Sequence, residues 1–410
     1  MLQRCSNRLI SDQERIFRFS RHWNLKYESS QACTTGKLQF TTPSQPIPIF
    51  QLLSHDGILS EEDCPRLNGN FTKDIGRRIM KTMVQQQTLD KILHDCQRQG
   101  RISFYLTSDG ELASIVGSAA GLHPSDIIYG QYRESGALLY RGYPVEKMIA
   151  QCIGSVGDRA CGRQMPIHYG SKEHNFHTIS SPVGTQLTHA AGCGYGLAFE
   201  KKDNVCMCYF GEGTSSEGDF HAALNMSSTL HCQTLFFCRN NAFAISTPCV
   251  EQYAGNGIAS YGASYGIPSI RVDGNDAVAV FMAVHEARAL SIEKQSPVLI
   301  EAMTYRMGDH STSDDSTKYR DTPEDALPDP IKRFERFLAG RSWWGTDETQ
   351  KVCTEFRDEI LQMLTKHEAL PKPSDRTLLD HVYDIKPQHL IEQTAQICTK
   401  EIDFLRNPTT

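Results

Sequence analysis

The sequence feature that most constrains the fold is a pair of short apolar runs, at residues 205–210 and 235–238, joined by a helical stretch. A strand, a helix and a second strand in this order form a parallel βαβ unit, which binds ligands where its strands end. Polar residues follow both runs: residues 211–213 read GEG, and residues 239–241 read RNN. We therefore predict an α/β protein with functional groups at the carboxyl ends of these two strands.

The chemistry of these polar residues suits a diphosphate that is bound through a metal ion. Glycines let the backbone approach an anion, and the N-terminus of the following helix attracts negative charge. Glu212 and Asn241 offer the oxygen ligands that Mg²⁺ prefers, and Arg239 can bind a phosphate through two nitrogens. The 26 residues between Gly213 and Asn240 are enough for one helix and one strand. An ordinary turn that only closes the βαβ unit is the alternative.

Strands alternate with helices along the chain, which favours a doubly wound parallel sheet with flanking helices. Residues 28–70 are polar and irregular, and we interpret them as an extended arm that lies on a neighbouring subunit. The predicted helices cover residues 71–99, 110–121, 217–231, 277–292, 331–338 and 347–367. The predicted strands outside the central unit cover residues 102–106, 127–129, 269–272 and 298–304.

The spacing of the GEG and NN residues resembles the thiamine diphosphate motif, and longer segments resemble one family that contains it. Those segments include GRISFYLTSDGE, GQYRESGALLYRGYP, SSPVGTQLTHAAG, FFCRNNAFAISTP and LIEAMTYRMGDHSTSDDS, and together they extend over roughly residues 75–320. They resemble the alpha subunits of branched-chain 2-oxo acid dehydrogenases, the decarboxylating first components of their complexes. The resemblance implies the thiamine diphosphate-binding fold, with an extended N-terminal arm and a helical C-terminal tail.

The resemblance also implies the residues that bind the cofactor. Mg²⁺ would be held by Glu212, Asn241 and the backbone carbonyl of Phe243, where family members carry tyrosine. His310 would contact the diphosphate and assist acyl transfer to a lipoyl group, which makes it the one catalytic residue that we assign to this chain. The expected cofactor contacts are Tyr132, Arg133, Ser181, Gly213, Thr214, Arg239 and His310.

Two further sites are implied by the resemblance. A structural K⁺ would lie at the turn before a small-residue helix, held by Ser180, Pro182, Thr185 and Gln186. The residues alone indicate only a helix cap at this turn. Ser311 matches the serine that the family phosphorylates, and a phosphate there should disorder its loop beside the anionic cofactor. A second family phosphoserine is replaced by Asp321, and Asp309 stands where we expect a histidine.

Three histidines within ten residues, His168, His174 and His177, raise the alternative of a metal site. Their spacing is not H-E-x-x-H, and they lie in a glycine-rich loop rather than on a helix, so the pattern favours no metal. The resemblance also implies none. It places this segment near the entrance of the active site.

The family's cofactor-activating glutamate comes from a separate beta subunit, so the resemblance implies an α2β2 heterotetramer that is inactive without that partner. A lipoyl-bearing acyltransferase, a regulatory kinase and a phosphatase are the other implied partners, and the mitochondrial matrix is the implied location. We predict a transit peptide at residues 1–30, the arm at 31–70, the cofactor-binding domain at 71–325 and a helical region at 326–410.

Charge and cysteine usage agree with this assignment. Residues 1–27 carry six basic and two acidic side chains, as in a mitochondrial transit peptide, although a disordered basic tail is the alternative. The net charge of −6 argues against nucleic-acid binding, and we find no apolar run long enough to span a membrane. The 14 cysteines include no C-x-x-C pair, so we expect reduced thiols rather than a disulfide framework.

Three other functions remain open on the sequence. A pyruvate-specific alpha subunit shares the cofactor motif. A nucleotide-binding dehydrogenase module would require G-x-G-x-x-G, and GEGTSSEG lacks the third glycine at that spacing. A non-catalytic scaffold subunit would keep the fold without binding the cofactor.

Overall fold

The computed structural model describes residues 38, 46–67, 69–321 and 328–406, without the side chains of residues 64, 66 and 398–406. The predicted transit peptide and residues 31–37, 39–45 and 68 of the predicted arm lie outside the described residues. The domain boundaries inferred from the sequence therefore stay predictions.

Seven parallel strands form one sheet within the described part of the chain, as the alternation of strands and helices predicts. They are β1 (Ile49–Phe50), β2 (Ile127–Tyr129), β3 (Phe176–His177), β4 (Cys206–Gly211), β5 (Thr234–Asn240), β8 (Ser269–Asp273) and β9 (Val298–Met303), in the spatial order β1-β8-β9-β5-β4-β2-β3. Two short strands, β6 (Phe243–Ala244) and β7 (Thr247–Pro248), form a separate antiparallel hairpin. The doubly wound parallel sheet is confirmed.

Helices cover both faces of this sheet. They are α1 (Lys73–Arg98), α2 (Leu112–Ala120), α3 (Ser135–Tyr140), α4 (Val145–Ile153), α5 (Thr185–Phe199), α6 (Gly218–Thr229), α7 (Cys249–Gln252), α8 (Tyr261–Tyr265), α9 (Ala277–Lys294), α10 (Pro330–Gly340), α11 (Thr346–Ala369) and α12 (Gln388–Arg406). Among the described helices, none combines the length and apolar character that crossing a membrane requires.

Alternating residues of the central strands enter two separate cores. Met207 and Tyr209 of β4 pack with the cluster that includes α1, α2 and α9. Cys206, Cys208 and Phe210 of the same strand pack with α5 and α6 on the other face. Because both faces are buried, the strand reads as a continuous apolar run rather than as an alternating pattern.

Two sequence predictions of secondary structure are corrected. The predicted strand at residues 102–106 is irregular, because the backbone of Tyr105 pairs with Thr312 and not with a neighbouring strand: its N–H donates to the Thr312 hydroxyl (3.3 Å), and its carbonyl accepts the Thr312 N–H (3.2 Å). The helix predicted at 217–231 is preceded by a 3₁₀ turn over Glu212–Ser216, and α6 is shorter than expected.

The described end of the predicted arm joins the sheet of its own chain. Strand β1 pairs with β8, and the backbone amides of Leu52 and Leu53 donate to one oxygen of Asp276, at 2.9 and 2.6 Å. The other oxygen of Asp276 accepts the first free amides of α9. This carboxylate thereby ties the arm to the start of the helix.

Candidate functional site

The carboxyl ends of β4 and β5 lie side by side, and Gly211 of β4 is in register with Arg239 of β5. Glu212 and Asn241 follow these residues, and both are buried. Because the two parallel strands end side by side in this register, Glu212 and Asn241 lie at the same edge of the sheet. The prediction that they meet at one edge of the sheet is confirmed.

Glu212 has the environment of a carboxylate without its partner. Its side chain is 2% exposed, and within the described residues its Oε1 has no hydrogen-bond partner. Burial, reinforced by the nearby Glu111, raises the pKa of Glu212 to about 7. A buried, ionised carboxylate in this position is unfavourable unless a cation is bound next to it. The residues therefore fit a divalent ion that is held partly by Glu212.

The side-chain amide of Asn241 is oriented by its neighbours. Its Nδ2 donates to Glu111 Oε1 at 3.0 Å, and its Oδ1 accepts the backbone N–H of Phe243 at 3.2 Å. The hairpin that follows is tightly folded, because Ala242 and Ile245 have φ angles of 69° and 56°. A neutral oxygen is thus held in the same edge of the sheet as the Glu212 carboxylate.

Arg239 is the centre of a buried ion-pair network. Its Nη1 donates to Glu111 Oε2 at 2.7 Å, and its Nε donates to Glu134 Oε1 at 2.9 Å. All three side chains are 2% exposed or less. Although burial favours the neutral form of Glu111, Arg239 and Arg133 hold its pKa below the usual value. The guanidinium that is expected to bind phosphate is thus held in place by two carboxylates, and its contact with the cofactor stays a prediction.

His310 lies between two arginines in the loop after β9. Nη2 of Arg133 donates to the His310 carbonyl at 2.6 Å and lies 3.2 Å from its Nδ1, and Nη1 of Arg306 lies 3.4 Å from the same nitrogen. Burial, Arg133 and Arg306 lower the pKa of His310 to about 3. The imidazole is therefore neutral near pH 7. Its Nδ1 accepts hydrogen bonds, which leaves the proton on Nε2.

Two more of the predicted cofactor contacts, Tyr132 and Thr214, have defined partners near this edge. Tyr132 packs edge-to-face against His310, with ring centroids 6.0 Å apart. The Thr214 hydroxyl donates to Gln131 Oε1 at 2.9 Å, and the same oxygen accepts the Gly211 N–H at 2.8 Å. Gln131 thereby joins the loop after β2 to the turn after β4.

Comparison with known proteins decides the family. A family model described as dehydrogenase E1 component matches residues 80–375. The chain belongs to the dehydrogenase E1 component family. This E1 chain is similar to "2-oxoisovalerate dehydrogenase subunit alpha, mitochondrial" of Homo sapiens, with 46% identity over 379 residues that cover 91% of the chain and 84% of the relative. The protein of the same name from Caenorhabditis elegans is 45% identical over 391 residues, or 93% and 89% of the two chains. The family assignment disfavours the nucleotide-binding alternative.

The turn before α5 in the E1 chain differs from a simple helix cap. Gly184, with φ 95°, occupies the N-cap position, and no side chain in the described structure bonds to the first amides of α5. The Thr185 hydroxyl donates to the Pro182 carbonyl at 3.1 Å, and the buried Gln186 donates to the Tyr209 carbonyl at 3.2 Å. The capping alternative is therefore wrong. The K⁺ site at Ser180, Pro182, Thr185 and Gln186 stays a prediction.

The three histidines of the E1 chain have different partners. Nε2 of His168 bonds to the Ser181 hydroxyl at 2.8 Å, and Nδ1 of His174 bonds to the Ser171 hydroxyl at 2.8 Å. His177 stacks on Tyr129, with ring centroids 4.3 Å apart. The described residues contain no group of three or more His, Cys, Asp or Glu side chains suited to a metal ion. The Ser181 hydroxyl, expected to contact the cofactor, is thus positioned by His168.

The loop that carries Ser311 is held by its own carboxylates. Asp314 Oδ2 accepts the His310 N–H at 2.8 Å and the Tyr319 hydroxyl at 2.6 Å. Asp309 Oδ1 accepts the Ser316 N–H at 2.9 Å. Asp309 therefore supports the fold of the loop in the position where a histidine was expected.

Sequence reasoning missed Glu111, Glu134 and Gln131, although all three connect the predicted residues. Each lies in a turn or loop outside the regular elements, so neither periodicity nor spacing distinguishes it. The available signal was indirect. Arg239 ends the apolar run of a buried strand, and a buried arginine requires carboxylate partners.

Replacing Gly213 with alanine should displace the hairpin that carries Phe243. A Cβ atom at Gly213 would lie 2.6 Å from the Ala244 Cβ, whereas one at Gly218 would meet nothing within 4 Å. We expect Gly213→Ala to cost about 1–3 kcal/mol of stability, as overpacking usually does. Thermal unfolding measures this loss, with Gly218→Ala as the control. Equal stability of the two variants would contradict the close approach.

Proposed function

We propose that this E1 chain is the alpha subunit of a mitochondrial branched-chain 2-oxo acid dehydrogenase. In this role it takes part in the oxidative decarboxylation of branched-chain 2-oxo acids and in transfer of the acyl group to a lipoyl arm. The family assignment and the name and location of the relatives support it. The structural observation that carries the proposal is the unpaired, buried Oε1 of Glu212 beside Asn241.

The proposed cofactor is thiamine diphosphate, held through Mg²⁺ by Glu212, Asn241 and the Phe243 carbonyl. When bound, it supplies the carbon nucleophile and the electron sink for decarboxylation. The chain's own residues bind and orient it. Gly213, Thr214, Tyr132, Arg133, Ser181 and Arg239 are its proposed contacts, in addition to His310. The Arg239 network keeps the ends of neighbouring elements in fixed positions around the site.

His310 acts in this proposal as a neutral hydrogen-bond donor. Its Nδ1 faces two guanidinium groups, so Nε2 is the nitrogen that can donate to a phosphate oxygen or to an acyl oxygen. The low pKa keeps this protonation state across the physiological range. Its contribution to acyl transfer is therefore positioning through Nε2 and not the release of a stored proton.

Two regulatory and structural features complete the proposal. K⁺ is bound at Ser180, Pro182, Thr185 and Gln186, and phosphorylation occurs at Ser311. A phosphate on Ser311 adds about two negative charges to a loop that already contains Asp309 and Asp314. We propose that this repulsion disturbs the hydrogen bonds that hold His310. A kinase, a phosphatase and the lipoyl-bearing acyltransferase are the proposed partners in addition to the beta subunit.

The purified chain should not catalyse decarboxylation without a beta subunit. The cofactor-activating glutamate is expected from that partner, and a missing acid–base group lowers rates about 10²–10⁴-fold. We would measure CO₂ release from 3-methyl-2-oxobutanoate, with thiamine diphosphate and Mg²⁺, for the chain alone and for the two subunits together. Pyruvate in the same assay tests the pyruvate-specific alternative.

Folding of the isolated chain is the control in this experiment, because a misfolded chain would also be inactive. A thermal-unfolding scan and restoration of activity on adding the beta subunit address that point. Full decarboxylation by the chain alone would contradict the shared active site. Cofactor binding without any turnover in the two-subunit assembly would instead favour the scaffold alternative.

A further inference from the structure

A cavity of about 600 Å³ lies on the far side of the loop that carries His310. It is bounded by α1, by α11 and by the two chain segments at residues 105–109 and 308–312. Cavities that bind small molecules have volumes of roughly 300–1,000 Å³. None of the residues proposed to bind the cofactor, Mg²⁺ or K⁺ lines this cavity. It is therefore a separate concave site of suitable size.

The loop between the cofactor site and the cavity presents a different side chain to each. His310 faces Tyr132 and Arg133 at the cofactor site. Its sequence neighbours Asp309 and Ser311 line the cavity. A molecule in the cavity would thus contact the same short backbone segment that positions His310.

The lining of the cavity combines two cations with two carboxylates. Lys91 of α1 and Arg357 of α11 are exposed and have no hydrogen-bond or ion-pair partner in the described part of the chain. Asp109 and Asp309 come from the two loop segments. Burial is the main cause of a raised pKa at Asp109, so a cation beside it would be stabilising.

This balance of charge selects the class of ligand. A simple anion would be repelled by Asp109 and Asp309, and a simple cation would be repelled by Lys91 and Arg357. The lining also includes the less polar side chains of Ile92 and the half-buried Cys353. A molecule with one carboxylate, one ammonium group and an apolar portion satisfies all of these features.

We propose that this cavity binds an α-amino acid with an apolar side chain. Its carboxylate lies toward Lys91 and Arg357, and its ammonium group lies toward Asp109 and Asp309. The ligand orders the loop from the side opposite His310. Because coupling between two sites is reciprocal, the amino acid and the cofactor change each other's affinity by the same factor. Only this coupling rests on the proposed function.

Calorimetric titration of the assembly with its beta subunit tests the binding directly. The probes are L-leucine, 3-methylbutan-1-amine and 4-methylpentanoate, which are leucine, leucine without its carboxylate and leucine without its ammonium group. We expect saturable binding of L-leucine at one site per chain. Each analogue should bind at least about tenfold more weakly than L-leucine, since each lacks one charged contact. Absence of leucine binding, or equal binding of the three probes, would overturn the proposal.

Single substitutions locate the site. Lys91→Gln and Arg357→Gln should each weaken leucine binding about tenfold, while Arg357→Lys should retain part of it. Lys351→Gln is the matched control, because Lys351 also lies on α11 and its side chain is 72% exposed. Unchanged binding in both cavity variants would overturn the assignment. Glu212→Gln should still bind leucine, so failure of the cofactor proposal is distinguishable from failure of this one.

Discussion

Glu212→Gln is expected to lower Mg²⁺-dependent cofactor binding and turnover at least about 100-fold, since it removes the charged ligand of the metal. The same change should stabilise the protein in the absence of metal. Burial moves the pKa of Glu212 from 4.5 to about 7, and each unit corresponds to about 1.4 kcal/mol. The ionised carboxylate therefore costs the metal-free fold roughly 3 kcal/mol above pH 7.

The pH dependence of stability gives a second measurement on this variant. Between pH 4.5 and about 7 the folded metal-free protein retains the Glu212 proton that the unfolded chain has lost. The stability of the native protein should therefore decrease as pH rises through this interval. In Glu212→Gln this contribution is absent. Urea unfolding at several pH values in EDTA, compared with titration of Mg²⁺ and cofactor, separates the two effects.

Glu217→Gln provides the matched control, because Glu217 is exposed and lies five residues further along the chain. It should change neither cofactor binding nor the pH profile. If Glu212→Gln bound Mg²⁺ and cofactor as the native protein does, Glu212 would not be a metal ligand. If Glu212→Gln were less stable than the native protein in the absence of metal, the Oε1 of Glu212 would have a favourable partner in the native protein.

Glu111→Gln should destabilise the fold by about 3–5 kcal/mol, the usual cost of leaving one partner of a buried ion pair uncompensated. Glu111 is 0% exposed, and its Oε2 accepts from Arg239 at 2.7 Å. Its Oε1 accepts from Asn241 and Thr304, at 3.0 and 3.1 Å. Without this charge, Arg239 would keep its ion pair with Glu134, and Arg133 would lose its ion pair with Glu111. The free energy of unfolding in urea measures the loss.

An exposed pair with similar chemistry is the comparison for this prediction. Arg159 and Glu173 approach to 3.2 Å, but their side chains are 59% and 65% exposed. Glu173→Gln should therefore change stability by no more than about 1 kcal/mol. Equal effects at Glu111 and Glu173 would mean that the buried network contributes no more than a surface ion pair.

The sequence was sufficient for the central βαβ unit because its strands are fully buried and its polar residues follow them directly. The register of Gly211 with Arg239 brings Glu212 and Asn241 together as the spacing predicts. The predicted strand at 102–106 failed for a physical reason. Ile102, Tyr105 and Leu106 are buried, but Tyr105 pairs with a loop that is 207 residues distant in the chain. Local pattern carries no information about such a partner.

The role of the glycines was only partly predictable. The sequence suggested that the GEG turn allows close approach to an anion, whereas the structure shows that Gly213 also admits Ala244 of the hairpin. Similarly, the charge of Arg239 was evident, but its engagement with Glu111 and Glu134 depends on two loops that are distant in sequence. Both features depend on tertiary contacts between residues that do not belong to one local sequence motif.

The attachment of β1 to β8 has a consequence for proteolytic trimming of this chain. Only two residue pairs form that ladder, and the Leu52 and Leu53 amides both depend on Asp276. A protease that cut after Leu53 would remove the outermost strand and leave β8 with unsatisfied donors and acceptors along one side. An uncovered strand of this kind recruits strands from other molecules. The clipped protein would therefore be prone to self-association even with its cofactor site intact.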